Sequence, residues 1–418
     1  MPPIADVVGP MRAILLMGTL AVSGIAGSAL AQSSIIPGQA KATGQDQAPD
    51  MPADVSGWPK IGLDTVASLE LAGMRAPDGP GRGPDVNLRL DSTFLAEFND
   101  TLSLDGLFQI KSRSPLSSKD PNSDLFINQG AGRNEGGKMK ELYVRYGDYR
   151  FGKFVQDFGR AYAYLATPFA ADFVEEPEEG YEPADMIGVE RLHVFGNEST
   201  GWRQISVSAF MVDRTFLHQS IGYNEGMVKL QNGGVGNTRY PENIMVTYDV
   251  LNQPIGNRAQ ITYQASVIRW GKTYGAQQGE LWTTLGGDIN IPLGGSVADT
   301  LRNHYRQLHL YVEGARRDNF NGFTGRARSY LSASAEYIDG PLVFDLTTTQ
   351  RWTTDRIAPL QKDELYTASL GYTLPSQTVV AAAFGHEQVG DRQGVYAGIR
   401  FTQTLTTCSR CIAKGKYY

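Results

Sequence analysis

The chain has 418 residues, a net charge of −6, 47 Gly, 20 Tyr and 17 Phe against 2 Cys, and a mean hydropathy of −0.28. Scattered charges in a mildly acidic balance exclude the basic footprint of a nucleic-acid binder. After Ile25 no run approaches the ~20 apolar residues that a membrane helix needs, which leaves a secreted soluble protein or a membrane barrel, whose interior face is polar.

From Met11 the chain runs Met11-Arg12, an apolar stretch from Ala13 to Ile25, then Ala29-Leu30-Ala31 before Gln32. A basic start, an apolar core and a small-x-small site predict a secretory signal peptide over residues 1–31. Gly18, Ser23, Gly24, Gly27 and Ser28 dilute the apolar run and argue against a retained anchor. The residues before Met11 are unlike such a start, so Met11 reads as an alternative initiation site. Residues 32–58, rich in Gln, Ala, Pro, Gly and Asp without an apolar period, predict a flexible spacer in the periplasm. Residues 59–405 show no composition break and read as one domain, followed by a tail at 406–418.

Within that domain the signal is period two. Val86, Leu88, Leu90, Ser92, Phe94, Ala96 and Phe98 alternate with Asn87, Arg89, Asp91, Thr93 and Glu97. Leu102, Leu104, Gly106, Phe108 and Ile110 then alternate with Ser103, Asp105, Gln109 and Lys111. Successive side chains of a strand point to opposite faces, so each segment builds one apolar and one polar wall. The alternation recurs at 142–146, 205–211, 244–250, 261–267, 308–312, 331–337, 342–346, 366–372 and 395–401. Weaker segments at 61–73, 149–155, 186–195, 279–290 and 377–386 bring the count to about sixteen strands.

Segments of about ten residues suit a tilted strand crossing a bilayer. Connections alternate short (99–100, 147–148, 196–201, 252–257, 339–341, 374–376) and long (111–138, 156–185, 213–241, 314–327, 352–363). Outer-membrane barrels show this pattern, with short periplasmic turns and longer external loops. The connection at 291–303 is long for its side. Tyr149, Tyr248, Trp270, Trp282, Tyr305, Tyr337, Trp352 and Tyr372 fall at segment ends and suit interfacial girdles. Together these features predict an all-β fold, a transmembrane antiparallel β-barrel of about 16 strands with both termini periplasmic. Its surroundings would be bacterial outer-membrane lipid and lipopolysaccharide. A soluble sandwich or propeller also alternates, but no blade-length repeat is visible.

The run Tyr143-Val144-Arg145-Tyr146-Gly147-Asp148-Tyr149-Arg150-Phe151-Gly152-Lys153-Phe154, followed by Asp157-Phe158-Gly159, resembles the hairpin before the inward-folded third loop of bacterial outer-membrane porins. It is also similar to the motif around the fifth strand of the phosphate-selective porin O and P family. The resemblance implies that the loop after strand five enters the lumen. It implies a water-filled channel for passive diffusion of small hydrophilic solutes and ions, no cofactor, and a homotrimer, for which the small residues from Val379 to Ala383 would offer an outer face that packs closely. A substrate-specific channel, selective for anions or phosphate or built from 18 strands, is the alternative.

That loop holds Asp172, Glu175, Glu176, Glu178, Glu179, Glu182 and Asp185 with no Lys or Arg between them. Such a run is either a solvated surface loop or an acidic pore lining. Pro168-Phe169 and Phe173-Val174 offer apolar anchors for packing inside a barrel. Arg89, Lys111 and Arg145 fall on the polar faces of strands two, three and four, and Arg400 on the last strand adjoins them when the ring closes. Acids facing bases across a neck create a transverse field that screens solutes by charge.

Catalytic chemistry finds little support. Gly-x-Ser-x-Gly is absent, and no motif assembles a nucleophile, base and orienting acid. His304 and His309 are five apart, on opposite faces of a strand, and no metal site is expected. Gly271-Lys272-Thr273 is similar to the end of a phosphate loop, but Ser266 holds the leading glycine position and the segment ends a strand. Cys408 and Cys411 form Cys-x-x-Cys, weak evidence for metal or redox chemistry and, in an oxidising compartment, a local disulfide. The tail departs from the aromatic end that porins usually carry on their last strand, although Tyr418 is itself aromatic.

Overall fold

The computed structural model describes residues 59–75, 82–113, 137–161, 181, 183, 185–197, 200–219, 221, 227–231, 234–256, 259–294, 305–355, 360–376 and 378–408. The expected signal peptide and spacer, the acidic candidates between Asp172 and Glu182, and Cys411 lie outside the described residues. Sixteen strands carry the alternation. They are β1 (Lys60–Arg75), β2 (Arg82–Glu97), β3 (Leu102–Arg113), β4 (Gly137–Tyr146), β5 (Tyr149–Lys153), β6 (Met186–Asn197), β7 (Gly201–Val212) and β8 (Asn243–Ile255). There follow β9 (Ala259–Arg269), β10 (Leu281–Gly294), β11 (Arg306–Asp318), β12 (Ala327–Asp339), β13 (Leu342–Thr354), β14 (Gln361–Thr373), β15 (Val379–Val389) and β16 (Arg392–Cys408). Each pairs antiparallel with its sequence neighbours, and β16 returns to β1, so the sheet is a closed barrel. Closure at sixteen excludes the 18-stranded alternative.

The wall has two chemistries, set by the two-residue period. One cross-strand row runs Ser206–Thr247–Ser266–Thr284 over β7 to β10, and all four side chains are buried. One residue along lies Val207–Val246–Val267, and all three side chains are exposed. Leu310, Val312, Leu331, Phe344, Leu346, Leu370 and Phe384 extend the exposed apolar face around the ring. Glu313, Ser332, Asp345, Thr347, Thr367 and Ser369 extend the buried polar one. A soluble protein buries its Val, Leu and Phe; here the sense is reversed, as in barrels that carry an outward apolar band. Among the described residues no helix is long and apolar enough to cross a membrane.

Three details depart from the sequence expectation. Trp270 and Trp282 join no outer girdle; they are 2% and 5% exposed and face inward. Their positions at the ends of connections 270–280 hid a parity that only the register reveals. Tyr149, Tyr337 and Tyr372 do lie exposed at strand ends. The connection between β15 and β16 has two residues where a longer external loop would be expected. Finally, β16 runs past Leu405 to Cys408, whose register partner is Gly62.

An outward charge should be costly in an apolar medium. Val312, mid-strand on β11, is 53% exposed. Val312→Arg should destabilise the barrel refolded in phosphatidylcholine vesicles by about 2–4 kcal/mol, read from denaturant titration. An unchanged midpoint would mean that this face does not meet lipid.

Candidate functional site: the inner wall

The inner wall is most elaborate where the chain leaves β5. That strand has five residues, and Gly152 turns it with φ 133, a conformation open to glycine. Beyond it, residues 154–161 bond to inward side chains of strands progressively further round the ring. Ser208 Oγ on β7 donates to Gln156 Oε1 at 2.7 Å. Thr247 Oγ1 on β8 donates to the Asp157 carbonyl at 3.2 Å. The Phe158 ring packs 6.0 Å from Trp282 on β10. The Arg160 backbone N–H donates to Glu313 Oε2 on β11 at 2.6 Å.

Glu313 is the fixed point of this arrangement. It is 1% exposed and also accepts from Tyr311 at 2.7 Å and, through Oε1, from Tyr181 at 2.8 Å. Arg160 and Tyr181, described residues on either side of the segment 162–180, therefore meet on one carboxylate. The Tyr181 ring also packs 4.8 Å from Tyr330 on β12. Gly159 makes the approach possible, because it adopts φ 78 and a Cβ there would stand 2.8 Å from Glu313 Oε1. Around this anchor the inner wall turns apolar. Phe158, Phe210, Met245, Ile268, Trp270, Trp282 and Tyr330 form one buried cluster, in which Trp270 packs 4.8 Å from Trp282 and 5.4 Å from Phe210. The sequence pointed to Phe169 and Phe173 as anchors, which lie outside the described residues; Phe154, Phe158 and Tyr181 carry the observed packing.

A second knot holds the point of departure. Lys153 Nζ, fully buried, lies 3.0 Å from Asp185 Oδ1 and 3.3 Å from Asp213 Oδ2, and donates to the Leu217 carbonyl at 3.1 Å. Lys138 donates to Asp185 Oδ2 at 2.8 Å. Leu217 belongs to a 3₁₀ turn, Phe216–His218, in the connection after β7. Further on, Ile221 exchanges backbone hydrogen bonds with Gly137 of β4 at 3.0 and 2.6 Å. Burial alone would raise the Asp185 carboxyl, but Lys138, Lys153 and Lys140 outweigh it and hold it well below the usual carboxylate range.

The four basic candidates divide. Arg89 and Lys111 are register partners on β2 and β3. Arg400 lies in the same band, since its partner Glu70 pairs with Asn87. Arg145 does not join them: it pairs with Ser103, which pairs with Glu97. Glu97 is eight residues along β2 from Arg89, about 26 Å at ~3.3 Å per residue. Arg89 is also paired on its own strand, with Asp91 Oδ2 at 2.7 Å. Three inward arginines that the sequence reading passed over, Arg317, Arg328 and Arg351, lie together on β11, β12 and β13. Drawing the hairpin register from the parity of those strands would have found them. Among the described residues no group of three His, Cys, Asp or Glu is placed to hold a metal.

No family model matches the sequence, and no curated protein does. The fold, a closed antiparallel barrel of sixteen strands, does have solved counterparts. OprB of Pseudomonas putida superposes with a TM-score of 0.56 at 12% identity, covering 83% of this chain and 94% of that one. The outer-membrane channel DcaP of Acinetobacter baumannii gives 0.50 at 10% identity, covering 82% and 97%. Salmonella typhi OmpF gives 0.50 at 11% identity, covering 82% and 98%. At these identities the likeness is one of fold.

Two outcomes follow. Glu313→Gln keeps the shape but replaces one accepting oxygen with an amide that donates, which weakens the hydrogen bonds from Arg160, Tyr311 and Tyr181, each worth about 0.5–1.5 kcal/mol. It should speed proteolytic cleavage between Ala161 and Tyr181 at least several-fold while the barrel stays folded; unchanged cleavage would show that Glu313 is no anchor. Asp185 contributes stability above its unfolded pKa of about 3.9, and that contribution fades as pH falls towards its lower folded value. Asp185→Asn, which tolerates the φ of 58 at that position, should therefore lower the denaturant midpoint at pH 7. The gap to the parent protein should narrow below about pH 4.

Proposed function

We propose that this chain is a bacterial outer-membrane porin, a water-filled channel for passive diffusion of small hydrophilic solutes and ions. The observation that carries the reading is the closed ring of sixteen strands with polar side chains inward and apolar side chains outward. A hydrocarbon solvent tolerates no unpaired backbone, and a closed barrel has none to expose along its wall. The resemblance of the hairpin at 143–159 to porins supports the same reading.

In this proposal the segment after β5 folds into the lumen as a third-loop constriction. The bonds from residues 156–160 to β7, β8 and β11, with Tyr181 returning to Glu313, support it. Asp172, Glu175, Glu176, Glu178, Glu179 and Glu182 then line the neck from one side, and Arg89, Lys111 and Arg400 form the facing basic band. Fixed charges in a neck narrower than the Debye length, roughly 8 Å at physiological salt, act on passing ions with little screening. The protein is further proposed to be exported by its N-terminal signal peptide and to assemble as a homotrimer among lipid and lipopolysaccharide. The small residues at 379–383 give little support to the assembly, because Ala381 and Ala383 face inward. Mass measurement after gentle detergent extraction tests it.

Planar-bilayer recording tests the function directly. The purified protein should open stable, ohmic channels in potassium chloride; absence of conductance from correctly folded protein would defeat the porin reading. Neutralising Glu175, Glu176, Glu178 and Glu179 together should move the reversal potential in a salt gradient towards anion preference. Neutralising Arg89 and Lys111 should move it towards cations, and Arg145→Gln should move it less.

A further inference from the structure

Where the short turns meet the outer face of the barrel, two bases stand without an acid. Arg191 and His193 alternate with the inward side chains of β6, and Arg203 lies on β7 opposite Phe195. Val189, Ile205 and Val207, exposed and of the same parity, show that these three positions face outward. Register sets their spacing. Arg191 pairs with Val207 and His193 with Ile205, so Arg203 lies four residues along β7 from the partner of Arg191, about 13 Å at ~3.3 Å per residue, with His193 between.

The surroundings are those of a membrane interface. Arg191 stands over the Tyr149 ring, with Cζ 5.6 Å from its centroid. The His193 ring stacks on Phe195 at 5.8 Å with 24° between the planes. Asp148, in the turn before β5, lies 3.7 Å from His193 Nδ1. Among the described residues no carboxylate pairs with Arg191 or Arg203. Arg306, at the same rim on β11, differs: it lies 3.1 Å from Asp339 Oδ1. An unpaired guanidinium on a lipid-facing wall is costly at the bilayer midplane and tolerated at its edge, where lipid phosphates lie. The connections beside these residues, 147–148 and 198–200, are short ones, which assigns the rim to the periplasmic leaflet.

We propose that Arg191, His193 and Arg203 form a phosphate site on the outer face of the periplasmic rim and hold the headgroup of an anionic phospholipid. The site rests on the membrane-barrel reading and gives its lipid partner a place and a charge. Guanidinium offers paired donors that match two phosphate oxygens, and the Tyr149 ring orients those of Arg191 beforehand. Two guanidiniums on one patch favour a headgroup of net negative charge over a zwitterionic one, whose own cation they repel. Exposed Val189, Val207 and Val246 continue the face beside Arg191 and give acyl chains an apolar surface.

The test uses the folded full-length barrel in neutral detergent, with dioleoylphosphatidylglycerol as probe and retained lipid counted by native mass spectrometry. Dioleoylphosphatidylcholine and lipid A serve as rivals, and circular dichroism checks that each variant is folded. The parent protein should retain phosphatidylglycerol in preference to both rivals. Arg191→Gln combined with Arg203→Gln should weaken that retention at least tenfold, the size of one lost charge-assisted contact. Arg191→Lys combined with Arg203→Lys, which keeps the charge and loses the fork, should fall between the two. Arg306→Gln should retain lipid like the parent. Equal retention by the parent and the double Gln variant would overturn the proposal, as would a parent that prefers phosphatidylcholine or lipid A. Potassium chloride conductance of the parent separates the site from the channel. A parent that conducts but retains no phosphatidylglycerol through these arginines refutes the site alone; one that retains it through them but does not conduct refutes the channel and leaves the site standing.

Discussion

A sheet that faces an apolar medium cannot leave an edge unpaired, because each bare N–H and C=O would go without the water that normally satisfies it. Pairing of β16 with β1, from Gly62↔Cys408 to Arg75↔Val395, removes that edge. The remainder of the structure depends on this closure. Only in a ring does the two-residue period become an inside and an outside, so that Val246 is exposed on the outer face while Thr247, next to it in the chain, is buried on the inner one. Only a ring gives residues 154–161 a far wall on which to bond.

The ring is thinnest at β5, where the chain leaves the wall. β5 contributes five residues to a wall whose other strands have ten or more, and its chain departs after Lys153. The structure compensates locally. Lys153 and Lys138 gather Asp185 and Asp213 at the junction, and the connection after β7 reaches back to bond Gly137 through Ile221. Buried charges of this kind cost desolvation and are retained only when well paired. Their pairing here fixes where the chain leaves the wall, while Glu313 fixes where it arrives.

Much of the barrel was legible because strand alternation is local. The polar face of Asn87, Arg89, Asp91 and Thr93 needs no partner to be read, and connection lengths supplied the up-and-down order. The site was legible only in part, because it depends on register and on contacts between distant residues. Arg145 looked like a neighbour of Arg89 until the pairing through Ser103 and Glu97 placed it at another level. Nothing near Glu313 in the chain marks it as an anchor; its partners Arg160 and Tyr181 are 153 and 132 residues away. Trp270 and Trp282 read as girdle residues because their type and strand-end position suit both an outer rim and an inner cluster. Parity across a hairpin, which would have separated those cases, also brings Arg317 opposite Arg328.

The central claim is that one side of this wall meets lipid and the other does not, and spin labelling along β13 tests it most directly. With Cys408 and Cys411 replaced by serine, single cysteines would be placed at each position from Val343 to Thr353, labelled, and the protein refolded into lipid vesicles. Collision with molecular oxygen, which concentrates in hydrocarbon, should peak at Phe344, Leu346 and Thr348 and fall at Asp345, Thr347 and Thr349. The account predicts that two-residue oscillation. Oxygen accessibility that does not alternate, or that peaks at Asp345, Thr347 and Thr349, would contradict it.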